Sequence, residues 1–151
     1  MENNLIIEKM TSKDIDGVFE VEKSCFEHYW SKESFKKELT NDSARYLIAK
    51  IDDKVVGYVG IWLILDEGHI TNVAVHKDYR GQKIGDKLVQ ALVDLCKENN
   101  IQSMTLEVRV SNMVAQNLYK KYGFKMAGIR KEYYSDNKED AIIMWNQVKE
   151  V

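Results

Sequence analysis

The spacing of apolar positions changes period repeatedly along this chain, and each change predicts an element. "LIIEKM", residues 5–10, reads as an opening strand. Thr11 with Asp14 three positions on makes a capping-box pattern, opening a helix that carries Ile15, Val18, Phe19 and Glu22. Ser31 is placed to cap a second helix holding Phe35 and Leu39. Three β-rich runs follow, "RYLIAKI", "VVGYVGIWLIL" and "HITNVAV", broken by "DDK" and "DEG", so an antiparallel meander is expected. From Ile84 the apolar positions Ile84, Leu88, Ala91, Leu92, Leu95 and Cys96 recur at helical spacing, predicting a helix with one buried face that ends near "ENN". "SMTLEVRV" alternates instead: Met104, Leu106, Val108 and Val110 point one way, Thr105, Glu107 and Arg109 the other, as in a half-buried strand. "NMVAQNLYKKYG" is a short helix stopped by Gly123, and "FKMAGIRKEYY", the turn "SDNK" and "EDAIIMWNQV" make a closing hairpin. The predicted order is β-α-α-β-β-β-α-β-α-β-β. No linker, repeat or low-complexity tract divides it, and proline is absent, so residues 1–151 are expected to form one domain.

Composition narrows the function classes. Apolar residues make up 44% and charged residues 30%, ordinary for a soluble globular protein, and no run approaches the eighteen or so apolar residues of a membrane span. "MENNLIIEKM" lacks the basic flank and small-residue cleavage site of a signal peptide, which points to the cytoplasm and away from a membrane. A net charge of −2 gives no whole-molecule attraction to nucleic acid, so any anion site must be local. Cys25 and Cys96 match no redox or metal spacing and read as free thiols; His28, His69 and His76 form no HExxH or i,i+4 pair, and no metal is expected.

One turn stands out, in "NVAVHKDYRGQKIGDKLVQALVDLC". Between the strand ending at Val75 and the helix beginning near Ile84, Lys77, Arg80, Lys83 and Lys87 outnumber Asp78 and Asp86. A helix start leaves its first N–H groups without intrahelical partners and carries a positive dipole end, while Gly81 and Gly85 leave the backbone approachable. The combination suits a phosphate. A Walker loop would need Gly-Lys-Ser/Thr and a dinucleotide fingerprint GxGxxG, and both are missing. On spacing alone a solvated turn, with its glycines kept for geometry, reads equally well.

With strand, "YRGQKIG" and helix in that order, the segment resembles the acetyl-CoA pyrophosphate loop of the Gcn5-related N-acetyltransferases (GNAT), whose pattern is Arg or Gln, two residues, Gly, one residue, Gly or Ala. Arg80 and Gly85 match it, and Lys83 stands where the middle glycine usually falls. The element order over nearly the whole chain is similar to that family's α/β (α+β) fold, a mixed, mostly antiparallel sheet flanked by helices. "LEVRVSNMVAQNLYKKYGF", "RKEYYSDNKEDAIIM" and the tryptophan-serine of "CFEHYWS" resemble its RimI branch, N-terminal alanine acetyltransferases acting on small-subunit ribosomal protein eighteen; Tyr29 replaces the branch's usual proline.

The resemblance implies acetyl-CoA as co-substrate, held by the backbone of Val73, Ala74 and Val75, by the turn Arg80, Gly81, Gln82, Lys83, Ile84, Gly85 and Asp86, and by Asn112, which as a residue alone reads as a helix N-cap. It implies Glu107 as the proton acceptor. Read alone, Glu107 is better explained as a surface carboxylate paired with Arg109. Tyr119, seven residues after Asn112 and so on the same helix side as the helix start, matches the family's proton donor; by itself it reads as core packing. Trp30, Tyr133 and Tyr134 are candidates for gripping the first residues of a ribosomal-protein N-terminus. A member acetylating lysine or a small amine, or a catalytically silent CoA-binding module, are the rival readings.

Overall fold

The computed structural model describes residues 4–148. Seven strands make one sheet: β1 (Leu5–Lys9), β2 (Ala44–Ile51), β3 (Lys54–Ile64), β4 (Glu67–Val75), β5 (Ser103–Arg109), β6 (Lys125–Arg130) and β7 (Ala141–Gln147), in the spatial order β1-β2-β3-β4-β5-β7-β6. Four α-helices flank it: α1 (Ile15–Cys25), α2 (Lys32–Leu39), α3 (Ile84–Glu98) and α4 (Met113–Lys121). The expected element order is the observed one.

Local chemistry fixes the helix ends. Asp14 Oδ2 accepts the Thr11 N–H at 2.8 Å and its hydroxyl at 3.1 Å, completing the capping box through a 3-10 turn that leads into α1. Ser31 Oγ accepts the Ser34 N–H at the start of α2. Gly123 closes α4 with a left-handed φ of 99°, which a residue bearing Cβ adopts only at a cost.

Two apolar clusters sandwich the sheet. The larger joins Val59, Ile61, Leu106 and Met144 to Leu88, Leu92 and Cys96 of α3. The smaller, on the opposite face, joins Ile48 and Tyr58 to Val18, Val21 and Phe35 of α1 and α2. Residues 55–61 of β3 are therefore buried without alternation, as expected for a strand covered on both faces.

All strand pairs are antiparallel except β4 with β5, and that pair is short: Glu67↔Ser103, Gly68↔Met104 and His69↔Thr105. Beyond it β4 continues to Val75 beside β3, while β5 continues to Arg109 beside β7. The strands part where β4 carries an extra residue, Thr71, opposite the Gly60/Ile61 step of β3. A bulge of this kind bends its strand and increases its twist. The split opens between the C-terminal ends of two parallel strands, the place where open sheets of this kind accept ligands.

Candidate active site

Beyond the split, β4 lines a cleft of about 780 Å³ to which β5 contributes no residue. Its lining includes Val73, Ala74 and Val75 from β4, Arg80, Gly81, Lys83, Ile84, Gly85 and Asp86 from the turn and the start of α3, and Asn112 before α4. Every cofactor residue expected from the sequence is brought here except Gln82, which is exposed between lining neighbours. Val114, Ala115, Asn117, Leu118 and Lys121 of α4 form a further wall.

The turn itself is a backbone device. Gly81 (φ 82°) and Lys83 (φ 62°) are both left-handed. A Cβ on Gly81 would meet nothing within 4 Å, so its glycine serves conformation rather than fit. Alternation of left- and right-handed residues turns successive N–H groups toward one concavity, and the unpaired N–H groups of the first α3 turn add to it. A Cβ on Gly85 would lie 3.4 Å from Leu118 Cδ2, marking how closely α3 and α4 approach. Asp86 serves a different purpose from its neighbours: its carboxylate pairs with Lys121 and accepts the Tyr122 hydroxyl at 3.1 Å, tying α3 to α4. Burial works to raise its pKa, but the hydrogen bonds from Lys121 and Tyr122 outweigh it and hold the carboxyl below its usual range. Asn112 Oδ1 accepts the Ala115 N–H at 3.0 Å, so it caps α4 and lines the cleft together.

Glu107 lies on the β5 face away from α3, as the alternation requires, with a side chain only 13% exposed. Its partner is not Arg109. Glu107 Oε2 lies 2.6 Å from His69 Nε2, and Oε1 lies 3.8 Å from Arg130 Nε. The short parallel pairing puts His69 and Glu107 on adjacent strands two residues apart in register, and the pair stands just where the strands separate. Arg109 turns away to Asp136 (2.9 Å) and Glu139 (3.3 Å), with its guanidinium 3.9 Å from the centre of the Tyr134 ring. There it walls a second cavity of about 300 Å³ with Phe26, Glu27, His28, Asp136, Asn137 and Glu139; Cys25 and Phe26 line both cavities.

The aromatic candidates separate. β6 ends at Arg130, so Tyr133 and Tyr134 lie in the connecting loop rather than in a tight hairpin, stacked edge-on at 5.1 Å beside Arg130 and Arg109. Burial, partly opposed by Arg109, pushes the Tyr134 hydroxyl up to about 12. Trp30 lines neither cavity: its ring packs on Phe35 and its backbone N–H donates to Glu22 Oε2. Tyr119 is 7% exposed, packed edge-on against Phe124 in the larger core, while its α4 neighbours Leu118 and Lys121 face the cleft. Burial raises its pKa strongly, with Tyr134 adding to the effect. The helical spacing from Asn112 places Tyr119 on the inner side of α4, one position away from the cleft wall.

Sequence reasoning missed His69, Phe26, His28 and the 136–139 loop. His69 carries no motif; only the β4–β5 pairing makes it a neighbour of Glu107. The loop residues come together from segments more than eighty positions apart, and no spacing rule reports that.

A sheet that opens between two parallel strands, beside a turn whose left-handed residues lead into a helix start, is an arrangement suited to an anionic ligand. The model of the Acetyltransferase (GNAT) family matches residues 15–124, and the chain belongs to that family. It is an N-acetyltransferase whose acetyl donor is acetyl-CoA. A Bacillus subtilis (strain 168) protein provisionally named a ribosomal protein bS18-alanine N-acetyltransferase is 47% identical over 99% of this chain and 100% of its own length. The crystal structure of the Escherichia coli ribosomal-protein-S18-alanine N-acetyltransferase superposes with a TM-score of 0.90 at 29% identity, covering 97% of this chain and 96% of that one. Ard1 from Thermoplasma volcanium superposes at 0.85 with 30% identity, covering 97% and 99%. The lining suits such a donor: strand residues Val73, Ala74 and Val75 lead to a turn with two left-handed residues at a helix start, a shape that can present backbone N–H groups to a diphosphate. Among the described residues no group of three or more His, Cys, Asp or Glu could hold a metal, and no helix is long and apolar enough to cross a membrane.

Proposed function

We propose that this protein acetylates the α-amine of the N-terminal alanine of ribosomal protein bS18. The near-full-length similarity to the Bacillus subtilis relative supports that substrate, and the Glu107–His69 pair at the β4–β5 split is the observation that carries the chemistry.

Acetyl-CoA supplies an activated acyl carbon: a C–N bond forms as the C–S bond breaks, one proton leaves the amine and one reaches the departing thiolate. The backbone of Val73, Ala74 and Val75 holds the acyl arm, with strand N–H groups available to the carbonyl oxygen. Glu107 accepts the amine's proton, directly or through water, while the His69 ring fixes the carboxylate's orientation. Tyr119 is the proposed proton donor, on the match of "NLYKKYGF" to the family segment. Its burial keeps the phenol protonated, as a donor must be, and sets the ring beneath the cleft wall formed by Leu118 and Lys121. The smaller cavity, with Phe26, His28 and Arg109, and the Tyr133–Tyr134 pair receive the peptide's first residues.

Substrate chemistry favours a chain end. An α-amine with pKa near ~7.8 is roughly one tenth neutral at pH 7, whereas a lysine near ~10.4 costs about 3.5 kcal/mol more to deprotonate. A modest carboxylate base is adequate for the first. Acting on a ribosomal protein, the enzyme belongs in the cytoplasm. The test offers acetyl-CoA with a peptide of the bS18 N-terminus and with a matched peptide blocked at its N-terminus but carrying an internal lysine, reading product by mass spectrometry. Acetylation of the first by at least about 100-fold over the second is expected. Equal rates refute N-terminal specificity, and no CoA release with either refutes the enzyme reading.

A further inference from the structure

Three cations line the cleft: Arg80, Lys83 and Lys121. Two are committed within the protein. Lys121 is ion-paired to Asp86. Arg80 folds back on the strand end, its Nε donating to the Val75 carbonyl at 3.4 Å and its Nη2 reaching Cys25 Sγ at 3.5 Å. Lys83 is exposed, and its ammonium acts on Asp86 only through its charge, at a distance beyond ion-pair contact.

The backbone of Lys83 is the second observation. It is left-handed, φ 62° and ψ 26°, at the N-cap of α3, a conformation that disfavours a residue with Cβ. Glycine would adopt it freely and is a good N-cap as well. The turn keeps the backbone shape a glycine would give, while carrying a long cationic side chain at the mouth of an anion cradle. Local strain of this kind persists where surrounding structure holds it, and clusters at ligand-binding segments.

We infer that Lys83 is a phosphate-binding residue of this enzyme, its ammonium contacting the diphosphate of acetyl-CoA; among the described residues it is the one cleft-lining cation whose side chain makes no hydrogen bond or ion pair within the protein. The inference rests on the cleft being the acetyl-CoA site. Backbone N–H groups hold the diphosphate in either case; Lys83 adds a charge that a glycine there cannot, at the expense of an unfavourable dihedral.

Opposed effects test it. Lys83→Gly relieves the dihedral and removes the charge, so the free protein should melt at or above the wild-type temperature while the Kd for acetyl-CoA rises about 10-fold. Lys83→Arg, which keeps the charge, should stay within about 3-fold of wild type. The Lys83→Gly loss should be equal for CoA and dephospho-CoA, which share the diphosphate, and should shrink as salt is raised. Acetyl-CoA binding as tight as wild type in Lys83→Gly overturns the inference, as does a loss seen with CoA alone, which would move the contact to the 3′-phosphate. Gly85→Glu, placing a carboxylate in the same turn, separates the two levels: a folded Gly85→Glu protein that still gains thermal stability from acetyl-CoA puts the cofactor elsewhere. If Gly85→Glu loses that gain and Lys83→Gly does not bind more weakly, only the Lys83 inference fails.

Discussion

The two cavities that meet at Cys25 and Phe26 are built by different means. The larger takes more than half of its lining from the contiguous stretch 73–86, a strand released from its neighbour, two left-handed residues and the first turn of a helix, with α4 as a further wall. The smaller is mostly side chain: Arg109 from β5 clamped between Asp136 and Glu139, faced by Glu27 and His28 from the α1–α2 connection. A cofactor that never changes can be held by backbone groups, whose positions follow from strand and helix geometry. A peptide must be told from other peptides, and that falls to side chains and loops on a rigid frame. The Glu107–His69 pair stands where the frame divides, on the last paired residues of β4 and just beyond them on β5.

Breaking that pair should have the largest effect. Glu107→Gln is expected to lower kcat/KM for an alanine-initiated peptide by about 10²-fold or more near neutrality, recovering in part at higher pH, where solvent has already produced neutral amine. Wild-type kcat/KM should rise with pH and level off; an unchanged profile in the folded variant would remove Glu107 from the role of base. Tyr119→Phe keeps the packing against Phe124 and removes the hydroxyl, so kcat should fall by about 10²-fold with acetyl-CoA affinity little changed. Undiminished single-turnover rates would return Tyr119 to the core.

Arg109→Ala addresses the smaller cavity alone. Peptide KM should rise by about 10-fold while the Kd for acetyl-CoA stays put, because the guanidinium organises the 136–139 loop and Arg109 does not line the larger cleft. A matching loss of acetyl-CoA affinity would show that the two cavities are not separable. The smallest effect belongs to the α3–α4 tie. The folded pKa of Asp86 is depressed, so its contribution is fully present above the unfolded value near ~3.9 and is lost as pH falls through the folded one. Asp86→Asn should therefore melt below wild type at pH 7, and the gap should close on acidification. A gap independent of pH would mean that the carboxylate's charge is not what ties the helices.

Period and capping chemistry were enough to predict every strand and helix in order, because each depends on neighbours within a few positions: Thr11 with Asp14, Ser31 with Ser34, the alternation around Glu107, the helical stripe from Ile84. The turn from Arg80 to Asp86 was legible as a candidate anion site for the same reason, being one continuous segment with glycines and cations, and resemblance to a known family supplied the proposed ligand. Tertiary structure alone decided the rest. It made His69 rather than Arg109 the partner of Glu107, since strand pairing and not sequence distance sets which side chains meet. It packed Tyr119 against Phe124 beneath the cleft wall, took Trp30 to Phe35 and paired Asp86 with Lys121. Those outcomes depend on how a bulged strand parts from its neighbour and on which loops then close over the gap, packing decisions made between segments far apart in the chain.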